Sequence, residues 1–121
     1  MCGDFDDHER IDDELFENFV ELTRRFGVQP QINGNVAPLL LETESMRAEY
    51  MDGLFKAGLT RCLNDAAKLP RGERMDAIAG QAIVFARLAG LLTAQFPPEA
   101  DLFRTVTGAI VDGHSETANL G

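Results

Sequence analysis

The sequence predicts an all-α protein, and three observations carry that expectation. Four long segments place apolar residues three and four positions apart, the spacing that lines one face of a helix. The strongest helix breakers, Gly27, Pro30, Pro38, Pro70-Arg71-Gly72 and Pro97-Pro98, fall between those segments. No run alternates between apolar and polar residues for long enough to define a strand.

The first helix is expected from Ile11. Its apolar positions are Ile11, Leu15, Phe16, Phe19, Val20, Leu22 and Phe26, with Asp12 or Asp13 as a cap and Gly27 as a stop. At 100° per residue, Asp13, Glu14, Glu17 and Glu21 lie opposite that apolar arc. Residues 27–38 read as a loop containing the turn dipeptide Asn33-Gly34, and whether residues 28–41 include a short strand is left open. A second helix is expected over about Thr43–Leu69, facing inward with Ala48, Met51, Phe55, Leu59, Cys62, Ala66 and Leu69. Its Gly53 and Gly58 each weaken it by roughly 1 kcal/mol relative to Ala and allow another backbone to come close. Tyr50 and Met46 lie off its main apolar face.

The connector Pro70-Arg71-Gly72 is short, so the second and third helices should be antiparallel neighbours. The third, about Glu73–Gln95, is apolar nearly all round: between Ala77 and Ala94 its polar side chains are Gln81, Arg87 and Thr93. Such a helix must be covered on every side. A fourth helix is expected from near Pro98, facing inward with Leu102, Phe103, Val106 and Ile110, and ending at Gly113. The expected architecture is a four-helix bundle-like single domain around the central third helix, with a homodimer seam completing its cover. The boundaries are a flexible acidic N-terminus over 1–10, the helical domain over 11–112 and a frayed tail over 113–121.

The charge is unevenly placed. Nine of 20 acidic residues lie in the first 21 positions beside one base, Arg10, and the remaining 100 residues hold 11 acids and 10 bases. The net charge of −9 is therefore a block of −8 on a body of −1. With no basic patch and a pI near 4.5, direct nucleic-acid binding is not expected. The most apolar stretch, Ala77–Phe96, carries Arg87 in its middle, so no membrane span is expected. The acidic start lacks the basic and apolar pattern of a secretory signal, and Cys2 and Cys62 have no metal-ligand spacing. A reduced, cytoplasmic chain is expected.

Two groups of residues invite chemistry. The stripe Asp13, Glu14, Glu17 and Glu21 suits either solvent or a basic protein surface, where charge complementarity raises association rate and specificity. The order Asp13-Glu14-Leu15-Phe16-Glu17 followed by Glu49-Tyr50-Met51-Asp52 resembles the two-helix signature of the all-α MazG-type nucleoside triphosphate pyrophosphohydrolases. That resemblance implies Glu14, Glu17, Glu49 and Asp52 as Mg²⁺ ligands, with Arg87 as a phosphate contact. Without it, Arg87 reads as a snorkelling side chain, or as the partner of Asp52 or Asp76. His8 and His114 stand near opposite chain ends and complete no di-iron or nucleophile–base pattern.

The leading expectation is a small acidic cytoplasmic interaction protein, non-catalytic and without a cofactor. It would bind a protein partner through the acidic first helix. The alternative is the Mg²⁺-dependent pyrophosphohydrolase, and a third reading is a helical bundle that binds a small apolar ligand beside the third helix.

Overall fold

The computed structural model describes the backbone of residues 3–30 and 39–120, with side chains over 10–30 and 39–118. The described residues are helical throughout apart from turns and connectors. The four helices are α1 (Gly3–Arg25), α2 (Glu44–Ala67), α3 (Arg74–Thr93) and α4 (Leu102–Leu120). The chain is all-α. Residues 28–30 and 39–41 carry no strand, while the Asn33-Gly34 turn and Pro38 lie outside the described residues.

Three helix ends differ from expectation. α1 begins at Gly3 rather than near Ile11, so positions 3–10 are helical and Asp12 and Asp13 stand in the helix interior instead of capping it. The early stretch GDFDDHER concentrates acids at the positive end of the helix dipole, which favours continuing the helix upstream. α4 passes through Gly113 to Leu120, because one glycine costs only about 1 kcal/mol and does not by itself end a helix. Thr107 and Ser115 donate to the carbonyls of Phe103 and Val111 on either side. Pro98 opens a short 3₁₀ turn, Pro98–Ala100, instead of α4. Asp101, at φ 52°, sits in the left-handed region and separates the two.

Other ends follow the sequence chemistry. Thr43 caps α2: its backbone is extended and its hydroxyl accepts from the Met46 amide at 3.1 Å. At the end of α1 the Val28 amide donates to the Thr23 carbonyl at 2.9 Å and Gly27 to Arg24 at 2.9 Å, with Gly27 at φ 76°. That is a Schellman closure, and the positive φ explains the glycine.

The chain divides into two units, Asn33–Ala86 and the pair of segments Met1–Ile32 and Arg87–Gly121, with the boundary inside α3. The first of these holds α2 and the start of α3. Gln81 of α3 donates from Nε2 to the Cys62 carbonyl at 3.0 Å. Arg74 reaches back to the Leu69 and Ala67 carbonyls, at 3.0 and 3.4 Å, satisfying orphan acceptors at the end of α2. Both contacts fit antiparallel neighbours joined by Pro70–Glu73. Ala66 is 4% exposed and is the buried residue of the described chain, with Gly58, Cys62, Asp65 and Leu69 half-buried near it.

The large apolar residues expected to face inward on α2 are not covered: Met51, Phe55 and Leu59 are 58–67% exposed. At 100° per residue Met51 and Phe55 share the face of Cys62, Ala66 and Leu69, so that face is buried only toward the α2–α3 connector. Gly53 and Gly58 bring no other backbone close, since a methyl group on either would meet no atom outside its own helix within 4 Å.

The other unit holds α1, the end of α3, the 3₁₀ turn and α4. On α1, Leu15, Phe19, Val20, Leu22 and Thr23 are half-buried, while Ile11, Phe16 and Phe26 stay about half-exposed. On α4, Leu102 and Val106 are half-buried, whereas Phe103 and Ile110 are exposed. α3, expected to be covered on every side, has no buried residue among those described. By length and composition it is apolar enough to cross a membrane.

Replacing Gly27 by Ala should lower stability by about 1 kcal/mol, because a Cβ strains the left-handed backbone. Gly53→Ala should raise it by about the same amount by removing helix-interior glycine. Urea denaturation followed by circular dichroism checks both signs.

Candidate functional site

The acidic stripe of α1 is built by helix geometry alone. Asp13, Glu14, Glu17 and Glu21 fall within one 100° arc, and all four are exposed. The half-buried Leu15, Phe19 and Leu22 occupy the opposite arc, so the apolar face fixes which way the carboxylates point. Glu21 is paired with Arg24 one turn later at 3.2 Å, with both side chains about 60% exposed. A pair this exposed contributes little to stability. It does neutralise the C-terminal end of the stripe, leaving Asp13, Glu14 and Glu17 as its negative stretch.

The second carboxylate pair, Glu49 and Asp52, belongs to α2. Both are exposed, and Asp52 accepts an ion pair from Lys56 at 2.9 Å. The hydrogen bond and charge of Asp52 raise the Lys56 ammonium above its ordinary value, holding it protonated. Asp52 is thereby already neutralised by its own helix. Glu14 and Glu17 lie in one unit and Glu49 and Asp52 in the other. Among the described residues, no group of three or more His, Cys, Asp or Glu side chains is placed to hold a metal ion.

Arg87 has a different partner from those the sequence suggested. Its guanidinium carbon stands 6.0 Å from the centroid of the Phe26 ring, at the outer range of a cation–π contact. Neither Asp52 nor Asp76 forms a recorded ion pair with it among the described residues. Phe26 closes α1 through the turn at Gly27, so Arg87 holds the end of α1 to α3. Spacing could not reveal this, because the two residues lie 61 positions apart by numbering.

Besides a groove of about 560 Å³ on the acidic stripe itself, lined by Phe16, Glu17, Asn18, Val20, Glu21 and Arg24, two more open grooves border candidate residues. One, of about 360 Å³, is lined by Leu15, Phe16 and Phe19 of α1 with Leu92, Gln95 and Phe96, and by Asp12 at its polar edge. Its wall is aromatic and nearly all apolar. The other, of about 480 Å³, lies beside the α2–α3 seam between Arg61, Cys62, Asp65, Gly80, Gln81, Val84 and Phe85. There Arg61 and Asp65 are paired at 2.8 Å. The Gln81 Oε1 atom is buried without a hydrogen-bond partner, as its amide is committed through Nε2. Neither groove contains a nucleophile beside a base, and Cys62 is a half-buried free thiol whose carbonyl, not its sulfur, is in use.

Compared with known protein families, curated proteins and solved structures, the chain matches none of them.

A double-mutant cycle on Phe26→Leu and Arg87→Gln should give a coupling of about 0.5 kcal/mol, the value for an exposed cation–π pair. Added phosphate should leave the melting temperature of the wild type unchanged. Zero coupling together with stabilisation by phosphate would return Arg87 to the role of an anion contact.

Proposed function

We propose that this chain is a small, non-catalytic, cytoplasmic interaction protein. In this reading it is a homodimer whose helices complete a bundle around α3, and it docks a basic protein surface on the acidic side of α1. The observation that carries the reading is the division of α1 into a half-buried apolar arc and an exposed carboxylate arc. A helix so divided keeps a fixed face of Asp13, Glu14 and Glu17 toward solvent, the arrangement that steers a positively charged partner.

Protein rather than lipid is the cover proposed for α3. Its interior Arg87 and Gln81 would each be costly in hydrocarbon, Arg by about 2.5–3.5 kcal/mol at a helix centre. In the chain each has a protein partner instead, Phe26 and the Cys62 carbonyl.

Affinity capture on the immobilised chain should recover a basic protein whose retention falls as salt rises. The triple charge reversal of Glu14, Glu17 and Glu21 to Lys should abolish that retention while preserving helicity. Salt-independent retention, or retention by the triple variant, would remove the electrostatic reading. The same preparation should release no pyrophosphate from nucleoside triphosphates with Mg²⁺. Turnover lost in Glu14→Gln and Glu49→Gln would establish the pyrophosphohydrolase in its place.

A further inference from the structure

The groove between α1 and the end of α3 holds one charge, and none of the residues around it answers that charge. Asp12, Leu15, Phe16 and Phe19 fall within one 100° arc of α1 and form one wall, with Leu92, Gln95 and Phe96 as the other. Both walls belong to the same unit of the chain. Leu15, Phe19 and Gln95 are half-buried, while Phe16 and Phe96 stand at the rim, 50 and 51% exposed. A concavity of about 360 Å³ with apolar, aromatic walls and two polar groups has the size and make-up of a small-molecule site. We propose that it binds a small organic ammonium ion, an amine carried on an aryl-alkyl body, with Asp12 at the ammonium and the phenyl rings along the body. The site is distinct from the docking face of Glu14 and Glu17, which lies on the other arc of α1, and does not depend on it.

Three observations select that chemistry. Asp12 is the groove's one charged residue, and among the described residues it has no recorded ion pair, unlike Glu21, Asp52, Asp65 and Asp101. No base lines the groove, so a carboxylate or phosphate ligand would meet that charge with nothing to offset it. The surrounding field has the same sign: residues 1–32 and 87–121 hold 13 acids and five bases, a net of −8.

The walls supply the second observation. Three of the seven lining residues are phenylalanines, whose ring faces attract cations, and more strongly where water is displaced. The third is Gln95. Its Nε2 donates to the Leu91 carbonyl at 2.8 Å, which leaves its Oε1 as an acceptor on the wall opposite Asp12. An ammonium has three donors and no acceptor, so a carboxylate and an amide oxygen suit it as they suit no anion. Length then sets the body. From Asp12 to Phe19 the α1 wall runs about 10 Å at 1.5 Å per residue, room for a phenyl ring and a chain of about four carbons. The polar end lies at Asp12 and the apolar end at Phe19, which gives the ligand one direction.

Three probes that share one aryl-alkyl body test this: 4-phenylbutylamine, 4-phenylbutanol and 4-phenylbutyrate. Each is titrated into the nitrogen-15-labelled full chain at neutral pH and followed by amide chemical shifts. The amine should bind saturably, shift amides of residues 12–19 and 92–96, and bind at least tenfold more tightly than the carboxylate, with the alcohol between them. Asp12→Asn should bring the amine down to the affinity of the alcohol. Asp13→Asn removes the same charge one position away and should leave the amine's lead in place. Phe16→Ser, at the exposed rim, should weaken all three probes at unchanged helical circular dichroism. The site is overturned if the amine does not saturate, binds no better than the carboxylate, or shifts amides elsewhere. It is overturned equally if Asp13→Asn removes the lead as fully as Asp12→Asn, which would assign the preference to overall charge.

Discussion

Packing of the end of α2 against the start of α3 is the constraint from which the rest of this structure follows. Ala66 is buried and Cys62, Asp65 and Leu69 lie half-buried near it, so the hairpin closes next to its connector. That closeness brings the Gln81 amide to the Cys62 carbonyl and lets Arg74 reach the last carbonyls of α2. It also decides what is left outside. Met51 and Phe55 lie on the same face nearer the start of α2 and stay 67 and 60% exposed, so the burial is confined to the hairpin end. The Gln81 link adds a directional element, because its Nε2 donates to one carbonyl of α2, that of Cys62.

The same logic separates the two faces of the chain. Aromatic and aliphatic residues hold one side of α1 inward, and its carboxylates are displaced to the other side as a geometric consequence. On α2 Lys56 pairs with Asp52 and Arg61 with Asp65, while Arg47 donates to the Leu41 carbonyl. Docking on the acidic face and the proposed pairing of copies are distinguishable in solution, because salt weakens the first and leaves an apolar interface nearly untouched.

Much of the helical content was legible in the sequence, and the reasons are local. Thr43 followed by an acidic first turn, Gly27 after Phe26, and Pro70-Arg71-Gly72 mark ends that need only a few neighbouring residues to be understood. The acidic arc of α1 was legible for the same reason, since angular position follows from residue number. The starts and stops that differed, at Gly3, Asp101 and Leu120, turned on the balance between a weak helix breaker and a favourable dipole or side-chain bond, each near 1 kcal/mol. On α2 the expected face is covered at Cys62, Ala66 and Leu69 and open at Met51, Phe55 and Leu59, because angular position does not say how far along a helix its neighbour reaches. The Arg87–Phe26 contact was illegible because nothing local connects the end of α1 to the middle of α3. The four-carboxylate resemblance rested on spacing within each helix, which says nothing of whether two helices bring their carboxylates together.

The central proposal is that apolar surface left open on α3 is covered by a second copy, which makes the stability of the fold depend on concentration. The most direct measurement is the thermal unfolding midpoint of the wild-type chain, followed by circular dichroism over a hundredfold range of protein concentration. The account predicts that the midpoint rises steadily with concentration, as mass action requires when association and folding are coupled. A midpoint that stays fixed across that range, with the same unfolding enthalpy, would show that one chain covers its own apolar surface and would contradict the account.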